Sequence, residues 1–181
     1  MVTADKWHTF QSNWGWMATA WRGEMLFALT FGHRRRADAR EWLGGQAGGA
    51  EVTDAVRLEQ RLRSYVSGDL EQLDDVAVDI ADRTPFQQSV LRACRRIPCG
   101  TTWTYGELAM RSGYPGAARA VGNVMRSNRH PLIIPCHRVV GASGKLVGYS
   151  APGGLVKKEE LLAREDLTRV NAGTCQRKGK H

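Results

Sequence analysis

Three chemically active side chains follow one another in a single short segment of the chain: Cys136, His137 and Arg138. The apolar run 132–134 precedes them, is too short for a helix of its own, and is predicted to belong to the core. Pro135 fixes its own φ and removes a backbone donor, so the chain should leave the core stiffly and present the thiol at its edge. The thiolate is the nucleophilic form of cysteine, and a cationic neighbour that contacts the sulfur favours it. The alternative is that Cys136 is only a small buried hydrophobic residue.

A carboxylate that could complete such a site lies in the last predicted helix, which runs from Leu155 to about Arg164 or a turn beyond. Glu165 follows Leu161 by four residues and Leu162 by three, so it lies on or beside the apolar stripe, where a carboxylate needs a partner. An edge-exposed Glu165 is the alternative. A thiol, an imidazole and a buried carboxylate supply a nucleophile, a base and a group that orients the base. The helical period places these side chains near one side: Leu155, Glu159, Leu162, Glu165 and Asp166.

Two helix starts in the second half carry a capping-box signal. Thr84-Pro-Phe-Gln87 combines a Thr N-cap, Pro at the first helical position and Gln at the third, and Thr104-Tyr-Gly-Glu107 has the equivalent Thr and Glu. The second of these helices is predicted to end at Gly113, and a third to span residues 117–126 after the turn 114–116. Two helices joined by a short, glycine-containing turn are typical of a helix-turn-helix.

The third helix has an unusually small outer face. Val121 and Val124 belong to its inward stripe, whereas Arg119, Gly122 and Asn123 point the other way, with Arg119 as the long side chain near its start. Such a face can approach DNA closely, and a lone arginine there can insert among bases rather than touch phosphate. Small-residue helices also occur simply for tight helix packing, so both interpretations stay open.

Charge is unevenly distributed along the chain. Residues 1–83 carry 10 Lys/Arg against 13 Asp/Glu, a net charge of −3, whereas residues 84–181 carry 16 against 5, a net charge of +11. This asymmetry predicts that the basic half meets a polyanion, and nucleic acid is the commonest such partner. A basic surface that only confers solubility is the alternative.

These features predict an α/β (α+β) support domain at residues 1–83, a mainly helical DNA-binding domain with the helix-turn-helix and the reactive cysteine at 84–166, and a basic, disordered tail at 167–181. No apolar run reaches membrane-spanning length and no signal-peptide pattern is present, so we expect no membrane segment. Four cysteines in 181 residues do not make a disulfide scaffold, which favours the cytoplasm.

The first half contains no catalytic constellation. Residues 1–12 look like a loose polar lead-in, and Gly44–Gly49 like a flexible loop that lacks a phosphate-binding pattern. Regular elements are predicted as strands at Trp14–Trp21 and Met25–Phe31 and as helices at Ala37–Leu43 and Val52–Tyr65.

A joint pattern closely resembles the O6-alkylguanine-DNA alkyltransferases. It centres on Pro135-Cys-His-Arg-Val-Val140, with Arg119-Ala-Val-Gly122 and Asn128 before it and Gly148-Tyr-Ser150 after it. The resemblance covers about half of the chain and is highly specific, whereas residues 1–83 match only loosely. It extends through Thr84–Gln87, Tyr105–Leu108 and Leu161–Glu165.

The resemblance implies direct DNA repair, in which an alkyl group on O6-alkylguanine, and on O4-alkylthymine, moves irreversibly and once to Cys136. The damaged nucleotide would first be flipped out, because a base inside the duplex cannot be reached. A relay of Glu165, His137 and a water would generate the thiolate of Cys136. Tyr105 would donate a proton toward the departing guanine, and Asn128 would brace the active-site turn.

The resemblance also implies the contacts with DNA. Arg119 would fill the stack vacated by the flipped nucleotide, with its helix in the minor groove of double-stranded DNA that contains alkylated bases. We expect the protein to act as a monomer. The other DNA-binding residues implied are Tyr105, Gly106, Tyr114, Asn123, Arg126 and Ala142. The substrate pocket would be lined by Val139, Tyr149, Ser150, Met125 and Pro131.

Two departures from the family pattern matter. Some relatives bind a structural zinc through cysteines and histidines of the N-terminal domain, but here the first cysteine is Cys94, and His8 and His33 alone cannot make a closed site. We therefore expect no metal and no cofactor. The inserted Ala151-Pro152 lengthens the link between the pocket and Glu165, which bears on the tolerance for bulky alkyl groups.

Three other functions remain as alternatives. A sensor that binds alkylated DNA without repairing it would need no acceptor, whereas Cys136 is present. A Cys-His-Glu hydrolase of a small substrate would turn over many times and show no affinity for DNA. A purely DNA-binding regulator would need no cysteine.

Overall fold

The structure, a computed structural model, describes residues 4–44, 47–52, 56–69 and 73–177. It combines an N-terminal α/β part with a mainly helical C-terminal part, as predicted. The strands are β1 (Ala4–Ser12), β2 (Gly15–Arg22), β3 (Met25–His33), β4 (Ala47–Glu51), β5 (Trp103–Thr104) and β6 (Val139–Val140). The helices are α1 (Arg36–Leu43), α2 (Val56–Ser67), α3 (Pro85–Arg95), α4 (Tyr105–Arg111), α5 (Ala118–Arg126) and α6 (Gly154–Arg177).

The N-terminal strands form one sheet in the order β3-β2-β1-β4, in which β1, β2 and β3 are antiparallel and β4 runs parallel to β1. Side chains of α1, including Leu43, join one hydrophobic cluster with the sheet, and side chains of α2, including Leu62, join another. The sheet therefore lies between two helices, since both of its faces carry apolar side chains that must be buried.

The prediction for residues 1–12 was wrong, because Ala4–Ser12 is a strand rather than a loose lead-in. This strand has few large apolar side chains, but Trp7 and Phe10 are buried. Pairing with β2 on one side and β4 on the other satisfies its backbone groups, so the position of the strand in the sheet compensates for its polar composition.

The flexible loop predicted at Gly44–Gly49 is also partly wrong, because Ala47–Glu51 forms the edge strand β4, while residues 45 and 46 lie outside the described ranges. Gly49 explains how this glycine-rich segment can pair. A Cβ added there would lie 1.6 Å from the Asp5 carbonyl oxygen, so only glycine allows the backbone to approach β1 this closely.

Both predicted capping boxes are confirmed in the helical part. The Thr84 side chain accepts from the Gln87 amide and the Thr104 side chain from the Glu107 amide, and each Gln or Glu side chain accepts from the backbone of its cap. The six residues 112–117 join α4 to α5, which pack against each other through a cluster that contains Leu108.

Helix α6 is longer than predicted. It runs to Arg177, so the first eleven residues of the segment expected to be a disordered tail are helical, and residues 178–181 lie outside the described ranges. The sequence contains no proline between residues 154 and 177 that would end the helix earlier.

The two parts of the chain share a hydrophobic cluster. Leu132, Ile133 and Leu161 pack with side chains of the sheet and α2. Backbone hydrogen bonds add to this contact, because the Leu29 amide donates to the Arg129 carbonyl at 2.8 Å. The domain boundary at residue 83 stays a prediction. In the described ranges, no helix is long and apolar enough to cross a membrane.

Candidate active site

The segment that carries Cys136 is buried and contains a strained residue. Every residue from Pro131 to Val140 is buried. Leu132 adopts a φ of +73°, a left-handed value that costs a non-glycine residue about 1–3 kcal/mol and persists only where the surroundings fix it. Cys136–Arg138 then form one 3₁₀ turn. The apolar run 132–134 thus belongs to the core, as predicted, and it holds the thiol that follows it in place.

The Asn128 side chain holds this segment in place. Its Nδ2 donates to the Ile134 carbonyl at 2.9 Å, and its Oδ1 accepts from the His130 amide at 3.0 Å. Burial raises the pKa of the Cys136 thiol, although a hydrogen bond from Asn128 and the nearby ammonium of Lys158 act in the opposite direction. The resting thiol is therefore protonated at neutral pH, and a base must remove its proton before it can act as a nucleophile.

Glu165 is completely buried and satisfied by four donating residues. Its Oε1 accepts from His137 Nε2 at 2.8 Å and from the Tyr65 hydroxyl at 3.0 Å, and its Oε2 accepts from the Gly100 amide at 3.1 Å. The Arg138 guanidinium binds both oxygens, with distances of 2.8–3.1 Å. Burial favours the neutral acid, but hydrogen bonds from His137 and Arg138 outweigh it and hold the pKa of Glu165 well below its ordinary value.

His137 is held in one orientation by this carboxylate. Because Glu165 is ionised, the Nε2 atom of His137 carries the hydrogen that it donates. Burial lowers the pKa of His137, even though Glu165 acts to raise it, so the imidazole is neutral at pH 7. The Nδ1 atom is buried and makes no hydrogen bond to any described residue. The Nδ1 atom of His137 is thus available to accept a proton, and His137 directly follows the buried Cys136 in the sequence.

Cys136 also lines a cavity of about 710 Å³. The walls are formed by Tyr105 at the start of α4, one side of α5 and the segment 147–150. Eight of the predicted site residues line this cavity. Some of them were predicted to contact DNA and others to form the substrate pocket. The complete lining consists of Tyr105, Ala118, Arg119, Gly122, Asn123, Met125, Arg126, Cys136, Val147, Gly148, Tyr149 and Ser150.

The outer face of α5 is exposed where the cavity opens. Arg119, Asn123 and Arg126 are exposed, whereas Val121 and Val124 are buried, so the predicted orientation of this helix is confirmed. The Tyr105 ring packs beside Gly122 of α5, where a Cβ would make an ordinary contact with the ring at 3.9 Å.

Comparisons with known proteins point to one family. The model of the DNA-binding domain of 6-O-methylguanine DNA methyltransferase matches residues 85–167. The methylated-DNA–protein-cysteine methyltransferase of Shigella flexneri is 44% identical over 114 residues, which cover 63% of this chain and 65% of that protein. The enzyme of the same name from Mycobacterium bovis is 49% identical over 105 residues, covering 58% of this chain and 61% of that protein.

A solved structure extends the similarity to the N-terminal part. The structure of Mycobacterium tuberculosis OGT in complex with DNA superposes with a TM-score of 0.74 at 37% identity, covering 89% of this chain and 92% of that one. The chain belongs to the O6-methylguanine DNA methyltransferase family. The alignments with the curated members from Shigella flexneri and Mycobacterium bovis span less than two thirds of the length of those proteins.

Several residues that the family pattern implicates lie away from the cavity. Gly106, Tyr114 and Ala142 are exposed, and Tyr114 packs edge-on against Phe86, with ring centroids 4.8 Å apart. Val139 is fully buried and is not part of the cavity wall, in contrast to its predicted place in the pocket. Val139 instead belongs to the hydrophobic cluster of the helical part. Pro131 lines a separate, smaller cavity.

The buried face of α6 differs from the predicted one. Leu155 is 45% exposed, while Lys158, Leu161 and Glu165 are buried. The Lys158 ammonium donates to the carbonyls of Val139 and Val147 at 2.6 and 3.0 Å, so it connects the segment after Cys136 to the cavity wall. Spacings of three and four residues place Lys158, Leu161 and Glu165 on one face of the helix, and this could have indicated that Lys158 is buried. A lysine is not expected on an apolar face, however, so the sequence analysis chose a different face.

Tyr65 is a second residue of the site that the sequence analysis did not identify. It lies on α2, is 4% exposed and reaches Glu165 across 100 residues of sequence. The first half was predicted to contain no catalytic constellation of its own, and Tyr65 nevertheless contacts Glu165 from this half. Arg138 was considered as a neighbour of the thiol, but its guanidinium binds Glu165 and the Ile97 carbonyl.

Proposed function

We propose that this protein repairs alkylated DNA by moving the alkyl group of O6-alkylguanine to Cys136, irreversibly and once per molecule. O4-alkylthymine would be a second substrate. The observation that carries the proposal is the position of the active-site turn between a cavity and a buried carboxylate. The thiol lines the large cavity, and the adjacent His137 is bound to the fully buried Glu165 at 2.8 Å. A nucleophile, a neutral base and an ionised group that orients the base are therefore present together.

The reaction follows from the protonation states of these groups. His137 Nδ1 would accept the thiol proton through one water, and Glu165 would stay ionised and stabilise the resulting imidazolium. The thiolate then forms a bond to the alkyl carbon while the bond from that carbon to guanine O6 breaks. The electron pair of the broken bond stays on the guanine, and the Tyr105 hydroxyl donates a proton to it, so that a neutral base leaves.

Double-stranded DNA is the partner that the exposed face of α5 fits. Arg119 lies where the cavity opens and would fill the gap that a flipped nucleotide leaves in the stack, while Arg126 and Asn123 would contact the backbone. Contacts with phosphate carry no sequence information, which suits a protein that must find damage anywhere. The protein would act as a monomer in the cytoplasm, and sedimentation of the complex with DNA tests the stoichiometry.

The experiment uses a duplex with one O6-methylguanine whose methyl group is radiolabelled, together with the wild type, Cys136→Ser and Cys99→Ser. Label should move to the wild type, reach about one methyl per protein and then stop, and Cys136→Ser should take up none. Cys99→Ser is the matched control, because Cys99 is an exposed thiol that does not line the large cavity, and a serine there keeps a donor for the hydrogen bond with Glu165. Binding without transfer by the wild type would indicate a sensor, and neither binding nor transfer would leave the hydrolase.

A further inference from the structure

Arg129 is a buried cation that the proposed reaction does not use directly. It follows Asn128, but its own side chain reaches the N-terminal half of the chain. The guanidinium binds both carboxylate oxygens of Asp82 at 2.6 and 2.8 Å and donates to the Asp79 carbonyl at 2.9 Å. It also lies 4.0 Å from the ring centroid of Phe27 on β3. Arg129 is only 9% exposed, and a charge buried to this degree needs such partners, so they fix its position.

The partners of Arg129 are themselves attached to the N-terminal sheet. Segment 77–82 is hydrogen-bonded to β3, because the Leu26 amide donates to the Ala77 carbonyl and the Asp79 amide donates to the Leu26 carbonyl, both at 2.8 Å. The Asp79 carboxylate also accepts from Arg22 of β2 at 2.5 Å. The anchor of Arg129 is therefore the sheet and not a separate surface loop.

The backbone around Arg129, where the chain enters the active-site turn, is bound to the same sheet. The Arg129 carbonyl accepts from the Leu29 amide at 2.8 Å. Burial lowers the pKa of His130 to about 3, so its ring is neutral, and its Nε2 donates to the Leu26 carbonyl at 3.0 Å. The His130 carbonyl accepts from the Ile134 amide at 2.8 Å. The entry to the turn is thus connected both to β3 and to the end of the apolar run.

These contacts surround Leu132, whose φ of +73° is strained and persists only while its surroundings fix it. If the entry were released, Leu132 could relax, and rotation there would move Cys136, four residues later. A displacement of about 1 Å at the reacting atoms can slow a reaction about 100-fold. We propose that Arg129 is a positioning residue for the transfer. Its contact with Asp82 keeps Leu132 in the strained conformation and thereby holds the thiol within reach of the alkyl carbon.

Arg22 offers a matched control within the same cluster. Its guanidinium binds the Asp79 carboxylate and lies 4.3 Å from the ring centroid of Phe27. Arg22 belongs to β2, however, and is far from the active-site turn in the sequence. Loss of Arg22 should weaken the sheet, but Asp79 keeps its backbone bond to β3 and Arg129 keeps Asp82.

The test rests on the proposed alkyl transfer and compares Arg129→Met with Arg22→Met. Single-turnover rates are measured with duplex O6-methylguanine and with the free base, at a temperature where denaturant titrations show that every variant is folded. Arg129→Met should slow transfer from both substrates by at least about tenfold, while its affinity for DNA persists. Arg22→Met should also have a lower free energy of unfolding but keep the wild-type rate, because only the first variant releases the turn.

Asp82→Ala approaches the same contact from its other side and leaves the active-site turn unchanged in sequence. It should slow transfer as well, and the double variant should be no slower than Arg129→Met alone, because both changes remove one shared contact. Asp82→Ala decides the question if Arg129→Met does not fold. A wild-type rate in the folded variants of this pair, or equal slowing in Arg22→Met, would overturn the proposal. Absence of methyl transfer by the wild type would instead refute the proposed function itself.

Discussion

The cavity that Cys136 lines and the network that begins at its neighbour His137 differ in exposure and in charge. The cavity is bounded by α5, whose Arg119, Asn123 and Arg126 are exposed and face no carboxylate in the cavity wall. The network is closed, with His137 and Glu165 both 0% exposed and the guanidinium of Arg138 bound to the carboxylate.

This difference separates recognition from chemistry. An exposed cationic face attracts a polyanion and adapts to it, and the loss of one contact there weakens binding without disturbing the fold. A buried ion pair is the opposite case, because removal of one partner leaves an uncompensated charge and costs about 3–5 kcal/mol. Variants of the closed network should therefore slow transfer from any substrate, and variants of the exposed face should slow it only from duplex DNA.

The largest effect is expected for Glu165→Gln. Loss of the carboxylate removes the stabilisation of imidazolium, so transfer should slow by at least about 100-fold, to the same extent with duplex O6-methylguanine and with the free base. Affinity for DNA, measured by fluorescence anisotropy, should persist. Unchanged transfer kinetics would remove Glu165 from the relay.

The same variant also has a pH signature. The folded-state pKa of Glu165 lies below its ordinary value of 4.5, so its contribution to stability is fully present above that pH and disappears as the pH falls toward the lowered pKa. Denaturant titrations should show that wild type loses this contribution in acid, whereas Glu165→Gln lacks it throughout.

An intermediate effect is expected for Arg119→Ala. Without the side chain that fills the vacated stack, transfer from duplex DNA should slow by about tenfold or more, while reaction with free O6-methylguanine keeps its rate. Arg126→Ala on the same face is the control, since loss of a phosphate contact should weaken binding and reduce its salt dependence. Equal losses on both substrates for Arg119→Ala would contradict the stacking role.

The smallest effect is expected for Tyr65→Phe. The ring and its packing are retained, but Glu165 loses one of its donors, so the free energy of unfolding should fall by about 1 kcal/mol. Transfer should slow a few-fold with both substrates, because the carboxylate keeps its bonds to His137 and Arg138. A loss confined to duplex DNA would place Tyr65 with the recognition face rather than the closed network.

Sequence reasoning worked best where the signal is local. Both capping boxes, the strands β2 and β3 and the buried run before Cys136 depend on residues within a few positions of each other, and the structure contains all of them. The burial of Glu165 was also predictable, because a helical period relates it to Leu161.

Features that depend on distant parts of the chain could not be predicted in this way. Strands β1 and β4 gain their stability from neighbours in the sheet and not from their own composition. The hydroxyl of Tyr65 reaches the buried carboxylate from the first half, where no pattern marks this residue as functional. The contacts of Lys158 could not be predicted either, because its ammonium binds the carbonyls of two residues that no sequence spacing relates to it.

The most direct test of the account asks which cysteine becomes alkylated. The wild type is mixed with a slight excess of duplex O6-methylguanine, digested, and analysed by peptide mass spectrometry at each of the four cysteines. The account predicts one methyl group on Cys136 and none on Cys94, Cys99 or Cys175, although Cys99 is exposed and Cys136 is buried. Methylation of Cys99, or a mixture that follows exposure, would contradict it, because simple accessibility would then explain the reaction without the buried network.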